Sequence, residues 1–216
     1  MSDVYHPKLT ANVQMPGQEV SETAARAASP IYNFPTATTS IHGPAYVPTP
    51  IEKGGKLGYA SWGGLGMVIL DLTTPTAPKV VSNWTPPLVA GKGLAVHTID
   101  VTRLNRGFVI VTPEEYGAGC DTPRLENFIL DLKDPAHPKE ITKLPSPTPP
   151  PGAPYKTFCG RYGRFGTHNA PHLKAPGKAA ANFTCYTWFN AGLQCGERGI
   201  CEELDLDQMY DVYNRG

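Results

Sequence analysis

Residues 67–81 read MVILDLTTPTAPKVV and residues 127–141 read NFILDLKDPAHPKEI, so one phrase, I-L-D-L-x-x-P-x-x-P-K, occurs twice, sixty residues apart. Self-similarity at a period of this size marks a repeat architecture, in which one supersecondary unit stacks on copies of itself. Each copy has the same physical content. Val68, Ile69 and Leu70, like Phe128, Ile129 and Leu130, make a short apolar run suited to a strand buried on both faces. Asp71 and Asp131 follow, and an Asp at a strand end hydrogen-bonds the backbone of the next turn. Pro75 and Pro78, matched by Pro135 and Pro138, block continued ladder pairing. Val80, Val81 and Ile141 start the next strand.

The unit extends upstream. A histidine opens each copy: His42 before the first phrase, His97 before the second, and His168, with His172 four residues on, in a third. Second strands are predicted over 57–62, 107–112 and 181–188. The third unit repeats the first in another respect, because Trp62 precedes Gly66 as Trp188 precedes Gly192. Each glycine suits the positive φ of a hairpin turn. One unit is therefore a four-stranded antiparallel meander, the form of a β-propeller blade. The predicted fold is all-β: a propeller-like array of about three blades, an incomplete propeller, since closed ones need about four to eight.

The segment from Gly66 to Pro78 resembles the LVIVD-repeat family of β-propellers, whose blades carry a G-hydrophobic-V-I/V-D-hydrophobic-S/T-x-P-x-x-P signature. The second copy has Glu126 where the glycine would stand, and the third begins at Trp188 to Leu193 but departs into Cys195 to Cys201. The resemblance covers about residues 35–194 and implies a propeller, in a partial or truncated form, without implying a reaction. A shorter stretch, Gly166 to Asn169, is similar to a segment of selenium-binding-protein-type propellers, including copper methanethiol oxidases, which place histidines in the channel. The implied organisation is an irregular leader over 1–34, blades over 35–88, 89–150 and 155–194, and an acidic tail over 195–216.

Composition agrees with short strands and many turns. Proline (23) and glycine (22) make up about a fifth of 216 residues, which leaves room only for short helices, predicted over 20–28 (capped by Ser21, with Glu22 and Arg26 one turn apart) and over 202–210. Basic and acidic residues balance at 19 each without a basic patch, so nucleic acid is not an expected partner. No apolar run reaches the roughly 20 residues of a membrane span. The first residues lack the pattern of a signal peptide. A soluble, cytoplasmic protein is expected, with export left open for a longer chain. Five cysteines without C-x-x-C spacing argue against a zinc ribbon or a thioredoxin-type site. Cys120 and Cys159 lie in inserted loops and can pair; the alternative is reduced, partly buried thiols. The proline-rich stretch 145–154 is predicted as an extended polyproline II spacer.

His42, His97 and His168 hold equivalent positions on strands that line a propeller channel, so their imidazoles are expected to converge. Such a ring can hold copper, zinc or iron. His172 shares the face of His168 if the strand is regular, and Asp100 and Glu114 can add carboxylates. The alternative is that each histidine ties a strand to its neighbour. Glu114 and Glu115 fall in a predicted insertion over 114–126, either as a general base near His97 or as solvated loop charges. Arg161 and Arg164 flank Gly163, either as an anion site at the channel mouth or as solvated surface residues. Trp62 and Trp188 are expected to pack between blades. No nucleophile elbow and no phosphate-binding glycine loop is present.

Two functions follow from these residues. One is a binding scaffold for an unidentified protein or small molecule, with open blade edges that invite self-association. The other is a metal-dependent oxidoreductase or hydrolase built on the histidine ring. Ring separation distinguishes them: imidazoles more than about 8 Å apart cannot share one ion.

Overall fold

A computed structural model of the chain describes residues 5–33, 39–87, 94–115, 126–161, 163–170 and 184–196. Among these, the architecture is mostly sheet with one short helix, α1 (Thr23–Ala28). Sheet 1 runs in sequence order through β1 (Ala45–Tyr46), β2 (Leu57–Ser61), β3 (Met67–Asp71) and β4 (Lys79–Trp84). Sheet 2 does the same with β5 (Leu94–Asp100), β6 (Phe108–Glu115), β7 (Phe128–Asp131) and β8 (Lys139–Lys143). Sheet 3 consists of β9 (Thr184–Trp188) and β10 (Gly192–Gly196). All neighbouring strands are antiparallel. Among the described residues no sheet closes on itself. No helix among the described residues is long and apolar enough to cross a membrane.

The repeated phrase folds the same way twice. Asp71 Oδ1 accepts from Thr73 N at 2.8 Å, and Asp131 Oδ1 accepts from Lys133 N at 2.8 Å. A register shift falls between Ile69 and Leu70 in one copy and between Ile129 and Leu130 in the other. The runs Val68–Leu70 and Phe128–Leu130 are buried on both faces, as a strand between two layers must be. Gly66 and Gly192 both adopt positive φ at their hairpins. At Gly66 a Cβ would stand 1.9 Å from the Trp84 carbonyl oxygen, so the turn admits glycine alone.

The sheets stack face to face. One core joins Tyr46, Tyr59, Met67 and Ile69 of sheet 1 to Val96, Val109, Val111 and Phe128 of sheet 2. Burial in that core pushes the Tyr46 phenol up to about 12. A second core joins Phe108, Ile110 and Ile129 of sheet 2 to Phe165, Tyr186 and Trp188 at sheet 3. Trp188 thus packs between sheets, as expected.

The outer face of sheet 1 carries a third core, and here expectation and structure differ. Met15 and Ile31, with Val13 and Tyr32 beside them, cover Ala60, Trp62, Leu65, Val68 and Leu70. The segment read as an irregular leader is a cover over an apolar sheet face, and Trp62 packs against it. The helix within it starts at Thr23 with Glu22, rather than Ser21, as N-cap, and that N-cap makes no side-chain cap bond. Glu22 instead accepts from Gly17 N and Glu19 N, while Arg26 donates to Gly17 O. The predicted helix over 202–210, Cys120 and Cys201 lie outside the described residues. Cys159 and Cys185 are each disulfide-bonded, in place of the alternative of reduced thiols.

Candidate metal centre

Three backbone devices bring the histidines together. His42 N donates to Ser61 O at 3.0 Å, which holds His42 beside the end of β2. His168 N donates to Thr187 O at 3.0 Å, the same bond in sheet 3. His97 sits at the register shift between Val96 and Thr98 in β5, where the local irregularity re-aims its side chain.

Contacts between the sheets then set the spacing. Val96 N donates to Gly63 O at 2.8 Å, and Thr167 Oγ1 donates to Pro113 O at 2.7 Å. Gly43 lies against the His97 carbonyl so closely that a Cβ would come within 1.6 Å of that oxygen. The absence of a side chain at position 43 is what allows His42 to approach His97.

The imidazoles converge as predicted. Ring centroids of His42 and His97 are 5.1 Å apart, nearly perpendicular, and those of His97 and His168 are 4.2 Å apart. The innermost group is Glu114. It belongs to the end of β6 rather than to the insertion, and only 10% of its side chain is exposed, against 23% for His42 and 27% for His168. Of the two readings, a base near His97 or a solvated loop charge, this burial goes against the solvated loop. β6 continues past Pro113 because that residue pairs at the register shift, where a proline is tolerated.

His42, His97 and Glu114 each offer a ligand atom, and these atoms all lie within 4.8 Å of one another. The tight group is therefore two imidazoles and a carboxylate, not three imidazoles. His168 stands one step out, with Nε2 at 3.6 Å from Glu114 Oε1. His172 lies outside the described residues. Asp100 does not join the group. Its buried carboxylate accepts from Thr102 N at 2.9 Å and pairs with Arg103 at 3.3 Å, closing the turn after β5.

The hydrogen bonds around the group assign most protons. Glu114 Oε2 meets His42 Nε2 at 2.6 Å, and an ionised carboxylate only accepts, so His42 Nε2 donates. Arg164 donates to Glu114 Oε1 at 2.9 Å. Burial opposes ionisation of Glu114, but the bonds from His42 and Arg164 outweigh it and hold the carboxyl below its ordinary range. The Asn169 amide oxygen accepts from Thr98 Oγ1 at 3.3 Å, so its Nδ2 donates to His168 Nδ1 at 3.0 Å. That leaves the proton of neutral His168 on Nε2, facing Glu114. Burial lowers the His168 pKa below the ordinary histidine value, and the Glu114 charge only partly offsets it. Thr98 Oγ1 also lies 3.0 Å from His97 Nδ1. Its one proton goes to the Asn169 amide oxygen or to the His168 carbonyl oxygen, each at 3.3 Å, so it accepts from His97 Nδ1–H and leaves Nε2 as the atom His97 could offer to a metal.

Arg164 closes the rim. Its guanidinium lies 3.9 Å from the centroid of Phe189, and Phe189 stacks on His168 at 4.9 Å. Arg161, the other predicted cation, instead sits over Tyr155 at 5.7 Å. The sequence reading missed Phe189 as a site residue. The signal available was its place directly after Trp188, two residues past the strand position whose carbonyl takes the His168 N–H. The chain has no match among protein-family models, curated proteins or solved structures.

Proposed function

We propose that this chain is a propeller-like array of blades, of the kind its LVIVD-like phrases imply, whose inner end forms a mononuclear site for a divalent transition metal. The observation that carries the proposal is the convergence of His42, His97 and Glu114 within 4.8 Å. Two imidazoles and one carboxylate form the ligand set of hydrolytic zinc sites and of facial-triad iron sites. No sulfur ligand stands in the group among the described residues, which favours zinc or iron(II) over copper(I). Bound metal would supply Lewis acidity toward water or a substrate oxygen.

The remaining roles belong to the chain. Thr98 orients His97, Asn169 orients His168, and Arg164 with His42 keeps Glu114 ionised. To join a metal, His42 would have to give up its Nε2 proton or offer Nδ1 instead, so uptake through Nε2 would release a proton. A hydrolase is the reaction class that this arrangement favours, with an oxidoreductase as the second outcome if the metal is iron.

The binding-scaffold alternative predicts histidines tied to separate partners and no metal. The deciding experiment is metal content by mass spectrometry, on protein as purified and after loading with zinc or iron(II), for the wild type, His97→Ala and Glu114→Gln. Near-stoichiometric metal that falls in both variants supports the proposal. Wild-type protein that retains no metal after loading, with variants that differ only in stability, returns the function to a scaffold.

A further inference from the structure

We propose that residues 13–32 stand in for a preceding sheet, and that the face of sheet 1 beneath them is a packing surface for a second copy of this chain; neither point rests on the metal reading. Register shows what kind of face this is. Leu57 pairs with Asp71 as Phe108 pairs with Asp131, so Ala60 corresponds to Val111, and the repeated phrase matches Val68 to Phe128 and Leu70 to Leu130. Val111, Phe128 and Leu130 are residues by which sheet 2 packs on sheet 1. Their counterparts Ala60, Val68 and Leu70 meet Met15 and Ile31 instead. The two tryptophans repeat the substitution. Trp188 packs against sheet 2, and its counterpart Trp62 packs under the N-terminal segment. The covered face is thus built like the faces that join one sheet to the next.

The cover holds to itself by directed bonds and to the sheet by apolar contact. Glu22 Oε2 accepts from Gly17 N at 3.0 Å, Arg26 donates to Gly17 O at 2.9 Å, and the Tyr32 hydroxyl donates to Pro16 O at 2.9 Å. Among the described residues, the one hydrogen bond that leaves the segment runs from Gln18 Nε2 to Thr39 O at 2.7 Å, outside the strands of sheet 1. Helix α1 buries no residue, so the contact is carried mainly by Met15 and Ile31 on either side of it. Apolar contact is non-directional, so another apolar face can take the place of the segment. Stacked repeats propagate through such faces unless a distinct element caps the end. The far end of the stack presents the opposite kind of face. Tyr186 and Trp188 turn to sheet 2, so Thr187 and its register partner Leu193 lie on the outer face of sheet 3, where Leu193 is 64% exposed. Sheets 1, 2 and 3 stack in one order, so the sheet 3 end of one copy fits the sheet 1 end of another, a head-to-tail contact.

The test uses the full chain and displaces the cover with a charge. Ile31→Asp, Ile31→Ala and the double variant Ile31→Asp with Leu193→Asp are compared with the wild type. The readouts are light-scattering mass against concentration, the rate of tryptic cleavage after Arg26, and far-UV circular dichroism. Ile31→Asp is expected to be cut at least about tenfold faster, since proteolysis follows the open population, and to gain mass over the wild type as concentration rises. Adding Leu193→Asp is expected to return the mass to the wild-type value while cleavage stays fast. Fast cleavage with no gain in mass overturns the inference. A gain in mass that Leu193→Asp leaves unchanged also overturns it, because the association is then not sheet 3 on sheet 1. Cleavage at the wild-type rate overturns it too, since the segment is then not held through Ile31. If Ile31→Asp loses the sheet signal, Ile31→Ala decides: a mass equal to the wild type at any cleavage rate overturns the inference.

Discussion

The two ends of the sheets obey different rules. At the Pro-turn end, sheets 1 and 2 are near copies: Asp71 and Asp131 make the same bond, and the register shifts at the same place in the phrase. At the inner end the copies diverge. Leu57 faces Asp71 as Phe108 faces Asp131, which makes Ser61 equivalent to Thr112, and Gly63 equivalent to Glu114. In sheet 3 the His168–Thr187 bond matches the His42–Ser61 bond, so Phe189 takes that position. One repeat position thus holds a glycine, a carboxylate and an aromatic ring. The glycine carbonyl ties sheet 1 to sheet 2, the carboxylate is the floor of the site, and the ring carries Arg164. Repetition builds the frame, and departure from it supplies the chemistry.

Breaking each end separately tests this division. The largest effect is expected at the repeated phrase. Leu130→Ala, at a fully buried position, should cost about 2–5 kcal/mol of stability, read as a fall in denaturation midpoint, while the molecules that remain folded still take up metal. Metal uptake lost at full occupancy of the native fold would contradict the separation. Gly43→Ala comes next. The added methyl meets the His97 carbonyl, so about 1–3 kcal/mol of overpacking cost should accompany weaker metal binding, because that contact belongs to both frame and site. Unchanged thermal stability and metal affinity would show that the inter-sheet contact is not made.

Glu114→Gln should then do the reverse of Leu130→Ala, lowering metal affinity at least about tenfold with the sheets intact by circular dichroism. Retained affinity would remove Glu114 from the ligand set. Acid should weaken the inner end first. Glu114 has a lowered carboxyl pKa, so its contribution is present above its ordinary value near 4.5 and is lost as pH falls through the lower folded value. His168 is also lowered, so the unfolded chain takes up its proton first as pH drops below 6.5, and stability falls there too. Stability that rises as pH falls from 6.5 to 4.5 would contradict the His168 sign, and no further loss below pH 4.5 would contradict that of Glu114. The smallest effect is expected from Asp71→Ala and Asp131→Ala. These half-buried turn caps should give small, matched falls in Tm, and unequal falls would show that the two copies are not equivalent.

Much of this was legible in one dimension. Strand burial, the Asp-capped Pro turns and the positive-φ glycines depend on residues a few positions apart, and local hydrogen bonds and a period of two express them directly. Histidine convergence was also readable, because it needs only equivalent positions in stacked units. Glu114 was legible as one of two candidate carboxylates, but not the choice of it over Asp100, since it meets His42 across 72 residues and lies on a strand that continues through a proline. The N-terminal cover was hidden for a similar reason: Met15 and Ile31 have no periodic pattern, and their burial depends on the apolar face they meet. The sequence alone determined the repeat, its strands and turns, and the order in which the histidines occur. Tertiary structure decided which carboxylate sits among them and which cation and ring close the rim. Those choices rest on contacts between separate sheets, where packing at ångström range, not local propensity, selects the neighbours.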